Sequence, residues 1–238
     1  MLFETSSVIK VAVILSTLDA LVKNKSSLNT ELVIEDRHLS RGSGVIAWTN
    51  WRRLTIYQLI TCIDRYSDCS ATNCLIEFSG GFKRINHYLA TGYPKTRLRM
   101  ANLQFTDRES VMPQVGVTTV REMSELSEKL LVRGPYSKHM RAAFKKVYAP
   151  WYGYKINTTI LGCKKLYIKT GSMKMIGEDN DCALNFTGVI VDRTGTYSFC
   201  SLNRVQLGPD ASDTALTRAT DEIAYNFISQ FTRFKRAH

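Results

Sequence analysis

The sequence predicts an α/β fold of the α+β kind, in which an antiparallel sheet flanked by helices joins a mostly helical lobe. Three observations carry this expectation. Apolar residues recur at helical spacing through the first two thirds of the chain, β-rich segments follow Pro150, and a long amphipathic stretch closes the sequence. The helical lobe is drawn over residues 1–152 and the sheet lobe over 153–238, with a functional cleft expected between them. At 238 residues and 44% hydrophobic content, the chain can bury a substantial core.

From Ser7 to about Val22, the residues Val8, Ile9, Val11, Ala12, Ile14, Leu15, Leu18 and Leu21 cover more than one face, which predicts a central helix buried on most sides. Thr55 supplies a cap for a second helix that runs to about Arg65. A third covers Ala71 to Phe78 and stops at Gly80-Gly81, where glycine ends a helix at little steric cost. Thr119 to Leu131 and Lys138 to Tyr148 read as further helices. Between these groups, Met100 to Val117 is polar, irregular and contains Pro113, a loop long enough to carry function. Strands are predicted over Lys164 to Thr170, Ala183 to Val191 and Thr196 to Leu202, the last two joined by the hairpin turn Asp192-Arg193-Thr194-Gly195. In the closing helix, Asp213 to Phe234, the residues Leu216, Ala219, Ile223, Phe227, Ile228 and Phe231 recur at helical spacing and should cover one face of the sheet.

Composition excludes several classes of function. The net charge of +11 invites a nucleic-acid partner, but the charge is scattered. Its densest groups, Lys138 to Lys146 and Arg233-Phe234-Lys235-Arg236, sit on helical patterns whose solvated faces account for them, so no nucleic acid is expected. An anionic polymer such as cell wall is an equally good partner for such a charge. The longest apolar run, Val8 to Leu15, is interrupted by Lys10 and is too short to span a membrane. The segment Met1-Leu2-Phe3-Glu4-Thr5 has no basic start or apolar core of a signal peptide, so an export signal, for an exported protein, is expected outside this chain. Cys62, Cys69, Cys74, Cys163, Cys182 and Cys200 form no C-x-x-C pair and have no histidine at zinc-finger spacing. No metal and no cofactor are expected, and the state of these thiols stays open between buried and disulfide-bonded.

Three motifs carry the chemistry. Ser7-Val8-Ile9-Lys10 opens the buried helix, and its spacing puts the hydroxyl and the amine on one helical face. A serine is a poor nucleophile until a neighbouring base takes its proton, and a lysine desolvated among apolar residues can do so. The partial positive charge of the helix N-terminus lies close to where an oxyanion would develop. Tyr66-Ser67-Asp68-Cys69 follows, with Ser70-Ala71-Thr72-Asn73 behind it, and Lys169-Thr170-Gly171-Ser172 ends a predicted strand. The order Ser-x-x-Lys, Ser-Asp-x, Lys-Thr-Gly is similar to that of class A β-lactamases and penicillin-binding proteins. Gly42-Ser43-Gly44-Val45, Gly80-Gly81, Asn86, Thr96-Arg97-Leu98 and Thr118-Thr119-Val120-Arg121-Glu122-Met123 extend the resemblance over nearly the whole chain from Glu4 onward.

The resemblance implies a β-lactamase/transpeptidase-like fold and a serine hydrolase that forms an acyl-enzyme with a β-lactam or a cell-wall peptide. By it, Ser7 attacks and is acylated, Lys10 helps remove its proton, and Ser67 relays a proton to the leaving nitrogen. Lys169, Thr170 and Ser172 bind the substrate carboxylate along the edge strand, and Gly171 lets the substrate backbone lie close. The backbone N–H groups of Ser7 and Ser172 form the oxyanion hole. It further implies a monomer in the periplasm or outside the cell.

The sequence departs from that pattern in three places. Cys69 stands where the family has Asn, replacing an amide that orients substrate with a weakly hydrogen-bonding thiol. Ungapped counting from Thr96-Arg97-Leu98 puts Asn102 at the place of the glutamate that activates the deacylating water, with Glu109 the only glutamate in the loop. The helix and two strands that precede Ser-x-x-Lys in the family are missing ahead of Ser7. Slow deacylation is therefore expected. The alternatives are a D-alanyl-D-alanine peptidase, which does not need that glutamate, and a binding protein that keeps the fold without the chemistry.

Overall fold

The computed structural model describes residues 1–100, 103, 115–144, 165–174, 181–206, 212, 215, 218–219 and 222–230. The chain begins with β1 (Phe3–Glu4) and a 3-10 turn (Ser6–Ile9) that runs directly into helix α1 (Lys10–Lys23). The central helix thus starts three residues later than its sequence pattern suggests. The bond from Val8 N to Thr5 O, 3.2 Å long, is of the i to i−3 type and tightens the first turn. Every residue of α1 from Lys10 to Leu18 is buried, as its all-round apolar pattern requires.

After β2 (Glu31–Val33) and β3 (Arg53–Thr55), which pair with each other, helix α2 (Ile56–Tyr66) starts from a capping box. Thr55 Oγ1 accepts from Gln58 N at 3.1 Å and Gln58 Oε1 accepts from Thr55 N at 2.8 Å. Helix α3 (Cys69–Phe78) follows after two residues and packs against α1 and α2. Gly80 and Gly81, with φ of 87° and 86°, then turn the chain into helix α4 (Phe82–Gly92). The sequence reading gave no helix here, because only Ile85 and Leu89 are fully buried among polar neighbours and the apolar stripe is narrow.

The segment read as a loop from Met100 to Val117 is bracketed by two short paired strands, β4 (Arg97–Leu98) and β5 (Gly116–Thr118), so its last residues belong to a sheet of order β1-β5-β4. Buried Glu122 ties this neck. Its carboxylate accepts from Lys95 N at 3.1 Å and from Thr96 Oγ1 at 2.6 Å, and Thr96 Oγ1 lies 2.8 Å from Thr118 Oγ1. Helix α5 (Val120–Glu128) carries Glu122 in its first turn and continues as a π turn over Lys129–Arg133. Helix α6 (Ser137–Ala143) ends at Phe144, while residues 145–148 of the helix expected there lie outside the described residues.

The main sheet has the order β6 (Lys165–Lys174), β7 (Asp181–Val191), β8 (Thr196–Ser201), and β9 (Arg204–Gln206) also pairs with β7. All its pairings are antiparallel. Asp192 Oδ1 accepts from Thr194 N at 2.7 Å and Gly195 N at 2.9 Å, which fixes the β7–β8 turn. Residues 222–230 form helix α7, which buries Ala224 and Ile228 against Leu166, Ile168, Phe186, Ile190 and Phe199. The other face of the sheet meets a larger core that joins Ile14, Ile60, Leu75, Leu130, Tyr167 and Val189, so both stretches of the chain share it. No helix among the described residues is long and apolar enough to cross a membrane.

One charged cluster ties α3 to the turn Asp36–His38. Glu77 accepts from Arg37 Nε at 3.0 Å and lies 3.0 Å from His38 Nε2, while Arg37 also pairs with Glu35. Chiefly the Arg37 hydrogen bond, then opposed by partial burial and helped by His38, lowers the Glu77 carboxyl from 4.5 to about 2. A depressed carboxyl contributes stability that is fully present above pH 4.5 and is lost as pH falls toward about 2. Glu77→Gln is therefore expected to flatten the loss of thermal stability across that acid range. With half of the side chain in water, the effect should stay below about 1 kcal/mol. A melting temperature that falls equally with acid in both proteins would refute the coupling.

Candidate active site

The middle motif forms one wall of the site. Helix α2 ends at Ser67, whose φ of 53° and ψ of 36° reverse the chain, and Asp68 then caps α3. The Asp68 carboxylate is fully buried and accepts from Ala71 N at 2.9 Å, Val45 N at 2.7 Å and Ile46 N at 2.9 Å. It anchors the segment after Gly44, where a Cβ would stand 2.4 Å from Asp68 Cγ. Asp68 is consumed in holding this wall. Cys69, the first residue of α3, is 2% exposed, so the thiol occupies a buried helix start and still meets the cleft.

Lys10 is 1% exposed, yet its Nζ has a full set of partners. Nζ donates to Ser7 Oγ at 3.2 Å, to Ser67 Oγ at 3.1 Å and to the Ser67 carbonyl, and it lies 3.5 Å from Cys69 Sγ. Lys169, 3% exposed, donates to the same Ser67 Oγ at 3.1 Å and to the Thr170 carbonyl at 2.7 Å. Ser67 Oγ therefore sits between two buried lysine amines. Hydroxyl and amine groups from three separate stretches of sequence converge on a continuous chain, Ser7 to Lys10 to Ser67 to Lys169. Such a chain can pass a proton from an attacking hydroxyl to a leaving group.

The third motif lies in the middle of β6, since the strand runs on to Lys174 and does not end at Thr170 as its sequence suggests. Gly171 hid the continuation, because glycine weakens a strand pattern where another backbone comes close. A Cβ on Gly171 would stand 2.5 Å from Ser6 Oγ and 2.6 Å from Ser7 N. Gly171→Ala is expected to push the Ser7 turn off β6, at a cost of about 1–3 kcal/mol from overpacking. Thermal denaturation checks this, and an unchanged melting temperature would show that the turn has room to yield. Thr170 and Ser172 are half-buried on either side, and Ser7, Lys10, Cys69 and Ser172 line one cleft with Ser43 and Leu103.

Seven of the residues singled out from sequence, Ser7, Lys10, Ser67, Cys69, Lys169, Gly171 and Ser172, thus meet at one place. Asn102 and Glu109 lie outside the described residues. Sequence reasoning named Asn73 within the middle motif but gave it no role: its Oδ1 accepts from Leu103 N at 2.6 Å and its Nδ2 donates to the His38 carbonyl at 3.1 Å, fixing one point of the loop beside the cleft. It missed Asn185, which no motif marks. Among the described residues no group of three or more His, Cys, Asp or Glu could hold a metal ion. The described cysteines Cys62, Cys69, Cys74 and Cys200 are free thiols, and burial pushes Cys62, Cys74 and Cys200 up to about 12. A second hollow, between α1 and α4 near Lys129, shares no lining residue with this cleft.

The fold has solved counterparts. A class A β-lactamase from Bacteroides cellulosilyticus DSM 14838 superimposes with a TM-score of 0.70 at 18% identity, covering 97% of this chain and 85% of that one. A β-lactamase from Francisella tularensis gives 0.67 at 16%, covering 97% and 88%. A variant of PBP-A, solved as an acyl-enzyme complex with penicillin G, gives 0.66 at 16%, covering 97% and 83%. At these identities the likeness establishes the fold. No curated protein matches the chain by sequence. The profile of the beta-lactamase enzyme family matches residues 1–184, a span that holds the Ser7 turn, the Ser67 wall and the Lys169 strand together. On that match the chain belongs to the beta-lactamase enzyme family.

Proposed function

We propose that this chain is a serine hydrolase that forms an acyl-enzyme on Ser7 with a β-lactam or a related amide and clears it slowly. The observation that carries the reading is Lys10 Nζ, 3.2 Å from Ser7 Oγ and 3.1 Å from Ser67 Oγ in a buried site. In the reaction, Ser7 Oγ attacks the carbonyl carbon, Lys10 assists removal of the hydroxyl proton, and Ser67 delivers a proton to the leaving nitrogen. The backbone N–H groups of Ser7 and Ser172 would receive the oxyanion. Lys169, Thr170 and Ser172 would hold the substrate carboxylate, with the amine of Lys169 as a hydrogen-bond donor. That a PBP-A variant has been captured as an acyl-enzyme with penicillin G supports acyl transfer in this fold.

Slow clearance is inferred from sequence. Hydrolysis of the ester needs a base beside the attacking water, and the side chain of Asn102 is not one. Cys69 weakens substrate orientation, since a thiol cannot replace both the donor and the acceptor of an amide. The missing glutamate also suits a D-alanyl-D-alanine peptidase acting on cell-wall peptide, which does not need it, whereas Cys69 also suits a binding protein that has lost the chemistry. Incubation with a fluorescent penicillin, followed by intact mass over time, tests the reading. A lasting adduct on Ser7 is the expected result, and release of D-alanine from a peptide would assign the peptidase. An adduct that forms and vanishes with steady turnover would overturn slow clearance, and no adduct at all would leave a binding protein.

A further inference from the structure

We propose that Asn185 is a positioning residue that sets the height and direction of Ser7, a role that rests on the acyl-transfer reading above. Asn185 is fully buried near the middle of β7, directly opposite Gly171 in the strand register. Directly opposed residues of an antiparallel pair project from the same face. On that face the missing side chain of Gly171 leaves room for the 3-10 turn, whose Ser6 Oγ and Ser7 N press against the strand. The amide of Asn185 reaches the same turn. Nδ2 donates to the Glu4 carbonyl at 2.7 Å and to Ser6 Oγ at 3.3 Å, and Oδ1 accepts from Asn203 N at 2.9 Å. Asn203 is held in turn, its Nδ2 donating to the Leu184 carbonyl at 2.6 Å. The amide is thus engaged at both ends and grips the chain on both sides of Thr5.

Ser6 needs that grip. Its φ is 45°, in the left-handed region that a residue with a Cβ occupies only when its surroundings impose it. Besides the contact with Asn185, its hydroxyl donates to the Thr5 carbonyl at 2.6 Å. The conformation of Ser6 decides where the N–H and the hydroxyl of Ser7 point, so the attacking group and one donor of the proposed oxyanion hole share a support from β7. An apolar side chain at position 185 would fill the space and hold nothing. Small displacements matter here, because about 1 Å of misplacement can cost on the order of 10²-fold in rate.

The test is a cycle of Asn185→Leu and Ser6→Gly, read by acylation with a fluorescent penicillin. Asn185→Leu is expected to lower the acylation rate at saturating penicillin by about tenfold or more while half-saturation stays near wild type. In a Ser6→Gly background, where glycine holds the left-handed turn unaided, the same change should cost less than about threefold. Equal losses in both backgrounds, or no loss in a folded protein, would overturn the proposal. If Asn185→Leu does not fold, Asn185→Asp removes the two donated bonds with little change of shape and is held to the same result. A second readout does not depend on penicillin chemistry. In a Ser7→Cys protein, the pH midpoint for alkylation of the introduced thiol by iodoacetamide should rise when Asn185→Leu is added, because the thiol leaves the reach of Lys10. An unmoved midpoint would overturn the positioning role, whereas wild type that takes no penicillin while the midpoint still moves would overturn only the acyl-transfer reading.

Discussion

Ser7→Ala is expected to abolish acylation outright and to leave the fold in place. The substitution removes one oxygen, the atom that would form the covalent bond. Structurally it takes away one of several hydrogen bonds made by Lys10, whose Nζ keeps Ser67 Oγ and the Ser67 carbonyl. The 3-10 turn is held by the backbone bonds of Thr5 N to Gly116 O, 3.0 Å, and Val8 N to Thr5 O, 3.2 Å, which alanine preserves. Intact mass after incubation with penicillin, together with a melting curve, checks both halves. An adduct on the variant, mapped to another residue, would remove Ser7 from the mechanism.

Lys10→Ala is expected to slow acylation by about 10²-fold or more, the range for losing a general base. Here a stability effect accompanies the kinetic one, because Lys10 is buried at the start of α1 and its stem fills core space. Truncation leaves the Ser67 carbonyl without this partner and would cost about 1–3 kcal/mol on that count alone. Lys10→Met keeps most of the volume and separates the two effects: the rate loss should persist while the melting temperature recovers. The second-order rate constant for fluorescent penicillin is the measurement. A folded Lys10→Met protein that acylates at the wild-type rate would reduce Lys10 to a structural residue.

How far the sequence carries depends on the kind of interaction. The all-round apolar pattern of Val8 to Leu21 foretells a central helix because burial is read directly from composition, and α1 is buried along most of its length. Periodicity failed at α4, where few positions face the core, and at the short strands β1, β4 and β5, which two or three residues cannot announce. It failed again at the start of α1, where a tertiary contact with β6 selects a 3-10 turn. The sequence marks the Ser67 motif with the Asp68 cap and the Lys169 motif with Gly171, whereas the Ser7 turn has neither signal and is placed by contact with β6.

Residue order alone announces what is local and chemical: an α+β chain, a buried amphipathic frame, and three short motifs with a serine, two lysines and a hydroxyl to relay protons. These follow from residue type and spacing, which act over one helical turn or one strand. Packing of the whole chain is what lets Lys10 and Lys169, 159 positions apart, share the Ser67 hydroxyl, and lets Glu122 tie the two ends of the loop. Only it revealed Asn185 beneath Ser6, since a buried asparagine has no periodic or motif signature. Its partners are backbone and side-chain atoms brought together by strand register and core packing, and those contacts between distant parts of the chain leave no mark on residue order.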